Sequence, residues 1–329
     1  MAMRNILSKN LWHLTAVAAV CLSLAVSGCG PRQAATDQPQ QTASVYATMT
    51  DDAGRTVTLT QKPQRVIVLS TSLLNFAAAV DGPLVGRATV KSEDMTIPES
   101  YQAVPDVGPV YNVSVEKILE LQPDLVIASA IQHQKLIPQL EQNHIPVIAL
   151  RSKTYEEVKR NMEFFGKIYG KEDLAQQKID QMDQDIAAIT SKLPKVHTKA
   201  VILHATPSSV TAQLPNSIAG NIAAILKLDN IASNAQPADP NVEKVPYSME
   251  AIVEQDPDVI FFTSMGPSEK VEERIRQDVQ GNPAWAGLRA VQQGRVYVLP
   301  EHYFLLNPGL DFPKAVSYMA VLVYPEVFR

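Results

Sequence analysis

The chain has 329 residues, 46% of them hydrophobic and 19% charged, with a formal net charge of -5 at pH 7. This balance describes a folded globular protein of one large or two medium domains, and it argues against a nucleic-acid binder. Only Cys21 and Cys29 are present, which excludes a disulfide framework and leaves stability to the buried core.

The first thirty residues read as an export signal. Arg4 and Lys9 make a positive start, and the apolar run Leu14 to Val26 is too short for a comfortable membrane span. Val26-Ser27-Gly28-Cys29 then resembles the lipobox of bacterial lipoproteins, which makes Cys29 the lipidated first residue of the mature chain. The alternative is a plain secretory signal with an incidental cysteine. Acyl chains contribute roughly 0.8 kcal/mol per buried CH₂, enough to hold a multiply acylated protein at a membrane surface. Residues 1–28 are therefore read as signal and 29–48, polar and without periodicity, as a flexible tether.

Beyond the tether, "RTVTL" alternates like a short strand and "RVIVLS", Arg65 to Ser70, is a β-branched run suited to a buried parallel strand. A helix to Val80 follows, then a strand near Leu84 to Arg87, a helix from Ser114 to Leu121, and a strand Leu125 to Ala128. A helix Lys135 to Asn143 and a strand Pro146 to Leu150 complete a first α/β lobe over 49–152. From 153 to 194 apolar residues including Leu174, Ile179, Met182, Ile186 and Leu193 recur mostly three or four apart. They predict one long amphipathic linking helix, broken or bent near Gly170. The strand and helix rhythm resumes over 195–329 with "AVILHA", Ala200 to Ala205, and a helix from about Asn216 to Leu226.

One stretch occurs twice. "SVEKILELQPDLVI" starts at Ser114 and "SMEAIVEQDPDVIF" at Ser248, and Glu116, Ile118, Pro123 and Asp124 recur without a gap as Glu250, Ile252, Pro257 and Asp258. Each copy predicts a helix with a serine N-cap and a first-turn glutamate, stopped by Pro-Asp and feeding a buried strand. Any αβ connection favours such a cap and stop, so the repeat by itself does not demand a function. Ser114 to Lys117 also matches the Ser-x-x-Lys nucleophile motif of penicillin-binding proteins and β-lactamases. Its second copy keeps the glutamate and loses the lysine, no Ser-Asp-Asn or Lys-Thr-Gly accompanies it, and no phosphate loop or Gly-x-Ser-x-Gly elbow is present. A hydrolase is the remote alternative to a binding protein that is not an enzyme.

The lipobox, "RVIVLS", "DVGPVYNVSVEKILELQPDLVIAS", the helical segment, "NPAWAGLRAVQQGRVYVLP" and "NPGLDFPKAVSYMAVLVYPE" together resemble the substrate-binding lipoproteins of ABC importers for haem, ferric siderophores and cobalamin. The resemblance covers nearly all of the mature chain and is greatest to the Isd-type haem receptor lipoproteins. It implies the helical-backbone periplasmic-binding-protein fold, in which two Rossmann-like lobes with parallel-rich sheets are joined by a single long helix. It also implies an exported, membrane-anchored monomer with no cofactor of its own, which carries haem or another iron complex to an ABC permease and its ATPase subunits.

By matching loops to that family, its amino-lobe iron ligand, a methionine, falls on Tyr111, and its carboxy-lobe ligand, a histidine, falls on Met265. Both depart from the pattern, yet a phenolate suits ferric iron and a thioether is a known haem ligand. Without a ligand role, Tyr111 simply covers a cleft loop and Met265 fills an irregular gap. Lys91, Lys135 and Arg151 lie near predicted strand ends as partners for propionates, though any one of them is as well read as a solvated surface charge. His302 and Tyr303 are reserve cleft residues, and His204 is expected to be buried or to line the cleft. The family's permease-docking glutamates fall on Glu116 and Glu250. The cargo stays open among haem, a ferric siderophore and cobalamin; the low aromatic content, 6%, argues against a siderophore site.

Overall fold

A period of two in the apolar runs decides where each sheet sits. The computed structural model describes residues 45–89, 97–235, 237–239, 241–266 and 268–328. The expected signal peptide, Cys29, most of the tether, and Lys91 lie outside the described residues.

A hairpin of β1 (Ala47–Thr50) and β2 (Thr56–Leu59) precedes the first lobe. That lobe runs β3 (Val66–Val68), α1 (Thr71–Ala79), β4 (Gly86–Thr89), β5 (Asp106–Pro109), α2 (Val115–Glu120), β6 (Leu125–Ser129), α3 (Ile137–Gln142) and β7 (Val147–Leu150). Its five strands are all parallel, in the order β5-β4-β3-β6-β7. Val66, Val68, Leu125 and Ile127 face one core and Ile67, Leu69, Val126 and Ala128 the other, as alternation along a strand buried on both faces requires.

The linking segment is two helices rather than the single one expected over 153–194. α4 (Tyr155–Tyr169) starts in a capping box of Thr154 and Glu157, and α5 (Glu172–Thr190) follows after a sharp turn. The break falls on Gly170, whose φ of 64° ends α4 in the left-handed conformation that glycine adopts without a Cβ penalty. Phe164, Phe165 and Ile168 of α4 and Ile179, Met182 and Ile186 of α5 belong to one apolar core with residues of both sheets. The linker is thus cemented to both lobes by burial.

The second lobe contains β8 (Lys199–Ala205), β9 (Val210–Gln213), α6 (Ile218–Ile225), β10 (Asp229–Asn230), β11 (Lys244–Pro246), α7 (Met249–Gln255) and β12 (Val259–Ser264). α8 (Ser268–Ile275), α9 (Arg289–Gln292), β13 (Val296–Val298), α10 (Glu301–Phe304) and α11 (Phe312–Val323) follow. The sheet order is β11-β9-β8-β12-β13, with β10 also pairing β8; β9 and β11 enter antiparallel and the other pairings are parallel.

The repeated stretch does the same structural work in each lobe. Ser114 and Ser248 cap α2 and α7, accepting from the N–H groups of Lys117 and Ala251. The Asp124 carboxylate accepts from the N–H groups of Gln64 and Arg65, while its own N–H donates to Arg65 O. Asp258 repeats this with Lys199, accepting its N–H and donating to its carbonyl. Each aspartate therefore sets the register of its strand against the central one, with Leu125 beside Val66 and Val259 beside Ala200. Ser114 is a helix cap.

Candidate functional site

The parallel strands of both lobes end on one cavity of about 380 Å³. Sheets of this type present ligand-binding loops at the carboxyl ends of their strands. The first lobe contributes Ser70, Ser72 and Leu73 after β3, Tyr111 after β5, Ser129, Ile131 and Gln132 after β6, and Leu150 to Lys153 after β7. The second contributes Gln213, the start of α6 at Ser217 and Ile218, Glu243 and Lys244 at β11, Met265 after β12, and Phe304 to Asn307 after α10.

Tyr111 and Met265, read from sequence as one residue per lobe, both line this cavity. They are 69% and 43% exposed. The Tyr111 loop is held from behind by His133, which is 3% exposed. Ser129 N–H donates to His133 Nδ1 at 2.9 Å, so the proton sits on Nε2, which donates to Val110 O at 2.8 Å. One imidazole thereby ties the β5–α2 loop to the β6–α3 turn. Burial pushes its pKa below the usual histidine value, against the pull of the Val110 carbonyl.

Arg151 also lines the cavity, but its charge is already engaged. Nε and Nη2 donate to Glu157 Oε1 at 3.1 Å each, and Nη1 donates to Asn241 Oδ1 at 2.6 Å across to the second lobe. Lys153 Nζ stands 3.6 Å from Glu243 Oε2 in a second contact between the lobes. Lys244 lies next to that glutamate in sequence and has no carboxylate within 4 Å among the described residues. Beneath this wall is a buried polar triad: Gln213 donates to the Thr263 hydroxyl, which lies 2.9 Å from His204 Nδ1. Burial, followed by the Lys244 and Lys153 charges, pushes the His204 pKa down to about 4.

His302 and Tyr303, read as reserve cleft residues, do not line the cavity. Within α10 their rings pack on each other, centroids 4.1 Å apart, and Tyr303 lies against Tyr318 of α11. The short helix packs Tyr303 on α11, and Phe304 to Asn307 reach the cavity instead. Lys135 is exposed, in the turn before α3, and is not among the lining residues. Glu116 and Glu250 are exposed in the first turns of α2 and α7, each without an ion pair among the described residues.

Sequence reading missed Ser152, Lys153 and Lys244. The first two follow Arg151 directly at the end of β7, so the strand-end reasoning that selected Arg151 reaches them too. Lys244 opens an antiparallel edge strand and carries no such signal.

Comparison with known proteins agrees with this geometry. A family model described as periplasmic binding protein matches residues 66–303. An uncharacterised ABC transporter substrate-binding lipoprotein of Bacillus subtilis, YvrC, is 27% identical over 332 residues, covering 97% of this chain and 98% of that one. The Fe(3+)-citrate-binding protein YfmC of the same organism is 28% identical over 300 residues, 90% of each chain. Among solved structures, Staphylococcus aureus IsdE complexed with haem superposes with a TM-score of 0.68 at 22% identity, covering 79% of this chain and 98% of that one.

Proposed function

The chain belongs to the periplasmic binding protein family, and on that premise we propose that it captures haem between its lobes and delivers it to an ABC permease. It is a substrate-binding protein for iron-complex uptake and not an enzyme. The observation that carries the haem reading is that Tyr111 and Met265, one from each lobe, flank a single cleft with their side chains exposed. A phenolate and a thioether are both iron donors, and two lobes meeting at a cleft suit a flat ligand gripped on both faces. Burying about 400 Å² of porphyrin at about 25 cal/mol/Å² gives on the order of 10 kcal/mol before association costs, so the axial atoms tune binding rather than supply all of it.

A second reading, a ferric complex of a carboxylate chelator, is supported by the likeness to the Fe(3+)-citrate-binding protein and by the lysines of the cleft wall. In either case Cys29 carries the lipid anchor at the extracytoplasmic membrane face, and Glu116 and Glu250, one per lobe, dock on cations of the permease. Exposed ion pairs contribute only about 0 to 1 kcal/mol each, so two such carboxylates set orientation and encounter rate more than affinity.

The experiment is titration of the full chain in detergent with haemin, ferric citrate, a ferric hydroxamate, a ferric catecholate and cobalamin. Haemin is expected to bind with a shifted Soret band that changes in Tyr111→Phe and in Met265→Ala. A flat spectrum with haemin beside tight binding of another ligand overturns the haem reading; an unchanged spectrum in both variants overturns the ligand assignment.

A further inference from the structure

The duplicated unit keeps more than its fold requires. Ser114 and Ser248 cap their helices, Ile118 and Ile252 are buried, and Asp124 and Asp258 set strand register, so each of these pairs has a structural reason to recur. Two further pairs recur at the same offset without such a reason: Leu119 with Val253, and Glu120 with Glu254. Leu119 is 36% exposed and Val253 42%, and both glutamates are exposed.

Local physics opposes part of this pattern. Glu120 is the last residue of α2 and Glu254 the last but one of α7, where the negative end of the helix dipole disfavours a carboxylate. Glu116 with Glu120, and Glu250 with Glu254, are like charges four apart on one helix, and they repel. None of the four has an ion pair among the described residues, and Lys117 does not neutralise its neighbours, because its Nζ donates to Asp106 O at 3.3 Å. Positions three and four apart share a helix face, so in each lobe an exposed aliphatic side chain stands beside two unpaired carboxylates, on the side away from the buried isoleucine. One exposed aliphatic residue needs no explanation, whereas the same arrangement at matching positions of two lobes does.

We infer that Leu119 and Val253 are the apolar anchors of the face with which the protein docks on its permease, each flanked by the two carboxylates of its own helix. The occupant is the extracytoplasmic surface of the permease, which presents to each lobe an apolar contact ringed by arginines or lysines. Charge complementarity selects that partner: an anionic lipid surface and a second copy of the same face are both repelled by the four carboxylates. Exposed ion pairs add little affinity, and apolar area removed from water supplies what they lack. The inference rests on the docking reading of Glu116 and Glu250 and deepens it by naming the side chains that hold the complex once the glutamates have oriented it.

The test measures association and dissociation of the full chain in detergent with the permease and ATPase complex in lipid nanodiscs, at low and high salt. Leu119→Ser combined with Val253→Ser is expected to weaken docking about tenfold or more, mainly through faster dissociation and to the same extent at both salt concentrations. Glu120→Gln combined with Glu254→Gln is expected to weaken it about threefold at low salt, through slower association, and to melt at a higher temperature as the repulsion is relieved. Val45→Ser, at a residue 62% exposed and outside both lobes, is expected to dock as wild type does. Docking at wild-type strength in the double serine variant, while Glu116→Ala with Glu250→Ala weakens it, overturns the anchors and leaves the docking glutamates standing. If the double alanine variant docks like wild type and the double serine variant does not, the glutamate reading falls and the anchors stand. If neither alters docking, both fall. An equal loss in Val45→Ser also overturns the inference. Should the double serine variant prove unfolded by circular dichroism, Leu119→Gln with Val253→Thr serves instead, with a several-fold loss expected and no loss overturning the inference.

Discussion

His133 and Val110 are joined by a 2.8 Å hydrogen bond from Nε2–H to the carbonyl, one residue before Tyr111. Both nitrogens of this buried ring are used, so its removal strands a carbonyl on one loop and the Ser129 N–H on the other. His133→Ala is expected to cost about 2–4 kcal/mol through two lost hydrogen bonds and a small cavity. Amide exchange over 110–114 should rise, whereas exchange within α11 should rise only as far as global stability falls. Protection of 110–114 unchanged relative to α11 would show that the ring does not hold the Tyr111 loop.

Two buried histidines, His133 and His204, predict an acid limb in stability. His133 and His204 are both neutral in the folded protein with lowered pKa values, that of His204 at about 4. Unfolded, each takes a proton near 6.5, so the unfolded state binds more protons below that value. Stability is therefore full above about pH 6.5 and falls as pH drops toward 4, by on the order of 1–3 kcal/mol for His204. Urea midpoints between pH 7.5 and 4.5 measure this, and His204→Gln is expected to flatten the curve.

Asp124 and Asp258 should be equivalent in stability terms. Asp124 accepts from the N–H groups of Gln64 and Arg65, just before β3, at 2.7 and 2.8 Å; Asp258 accepts from Lys199 N–H at 2.9 Å and pairs with Arg289 at 2.9 Å. The change to alanine leaves two backbone donors unpaired at Asp124 and one, with an arginine, at Asp258, and each is expected to cost about 1–3 kcal/mol. Because the two sites lie in different lobes without shared partners, the double variant should lose close to the sum in a denaturant melt.

Gly170→Ala places a Cβ at φ 64° in the turn between α4 and α5 and is expected to lower stability by about 1 kcal/mol. The melting temperature should drop a few degrees with cargo affinity unchanged. A drop in affinity as well would mean that the turn also governs how the lobes meet.

Glu116→Ala combined with Glu250→Ala is expected to leave cargo affinity intact, since both residues lie outside the cavity, and to reduce uptake through the permease. The measurement is radiolabelled or fluorescent cargo import in reconstituted vesicles alongside a binding titration. Import at the wild-type rate would remove the docking role.

Much of the fold was legible because strands buried on both faces and capped helices leave local signals. Continuous β-branched runs such as Val66 to Leu69, Ser caps three residues before a backbone donor, and Pro-Asp stops read directly from the chain. Gly170 was visible as a break, though only the left-handed turn showed that α4 and α5 are separate helices. Of the cavity lining, some positions were legible. Tyr111 and Met265 were found through loop matching and do border the cavity, whereas His302 and Tyr303 were turned aside by their packing on each other and on Tyr318, which no local pattern encodes.

By itself the sequence determined the α/β alternation, the duplicated helix-to-strand unit and the exposed glutamate that each copy keeps. These depend on period, capping and turn chemistry, all short-range. Only the tertiary structure decided that Arg151 is engaged by Glu157 and Asn241, that no carboxylate among the described residues lies within 4 Å of Lys244, and that His133 supports the loop bearing Tyr111. The reason is physical: the worth of a charge or a ring depends on which groups from distant segments lie within about 4 Å of it, and at what burial.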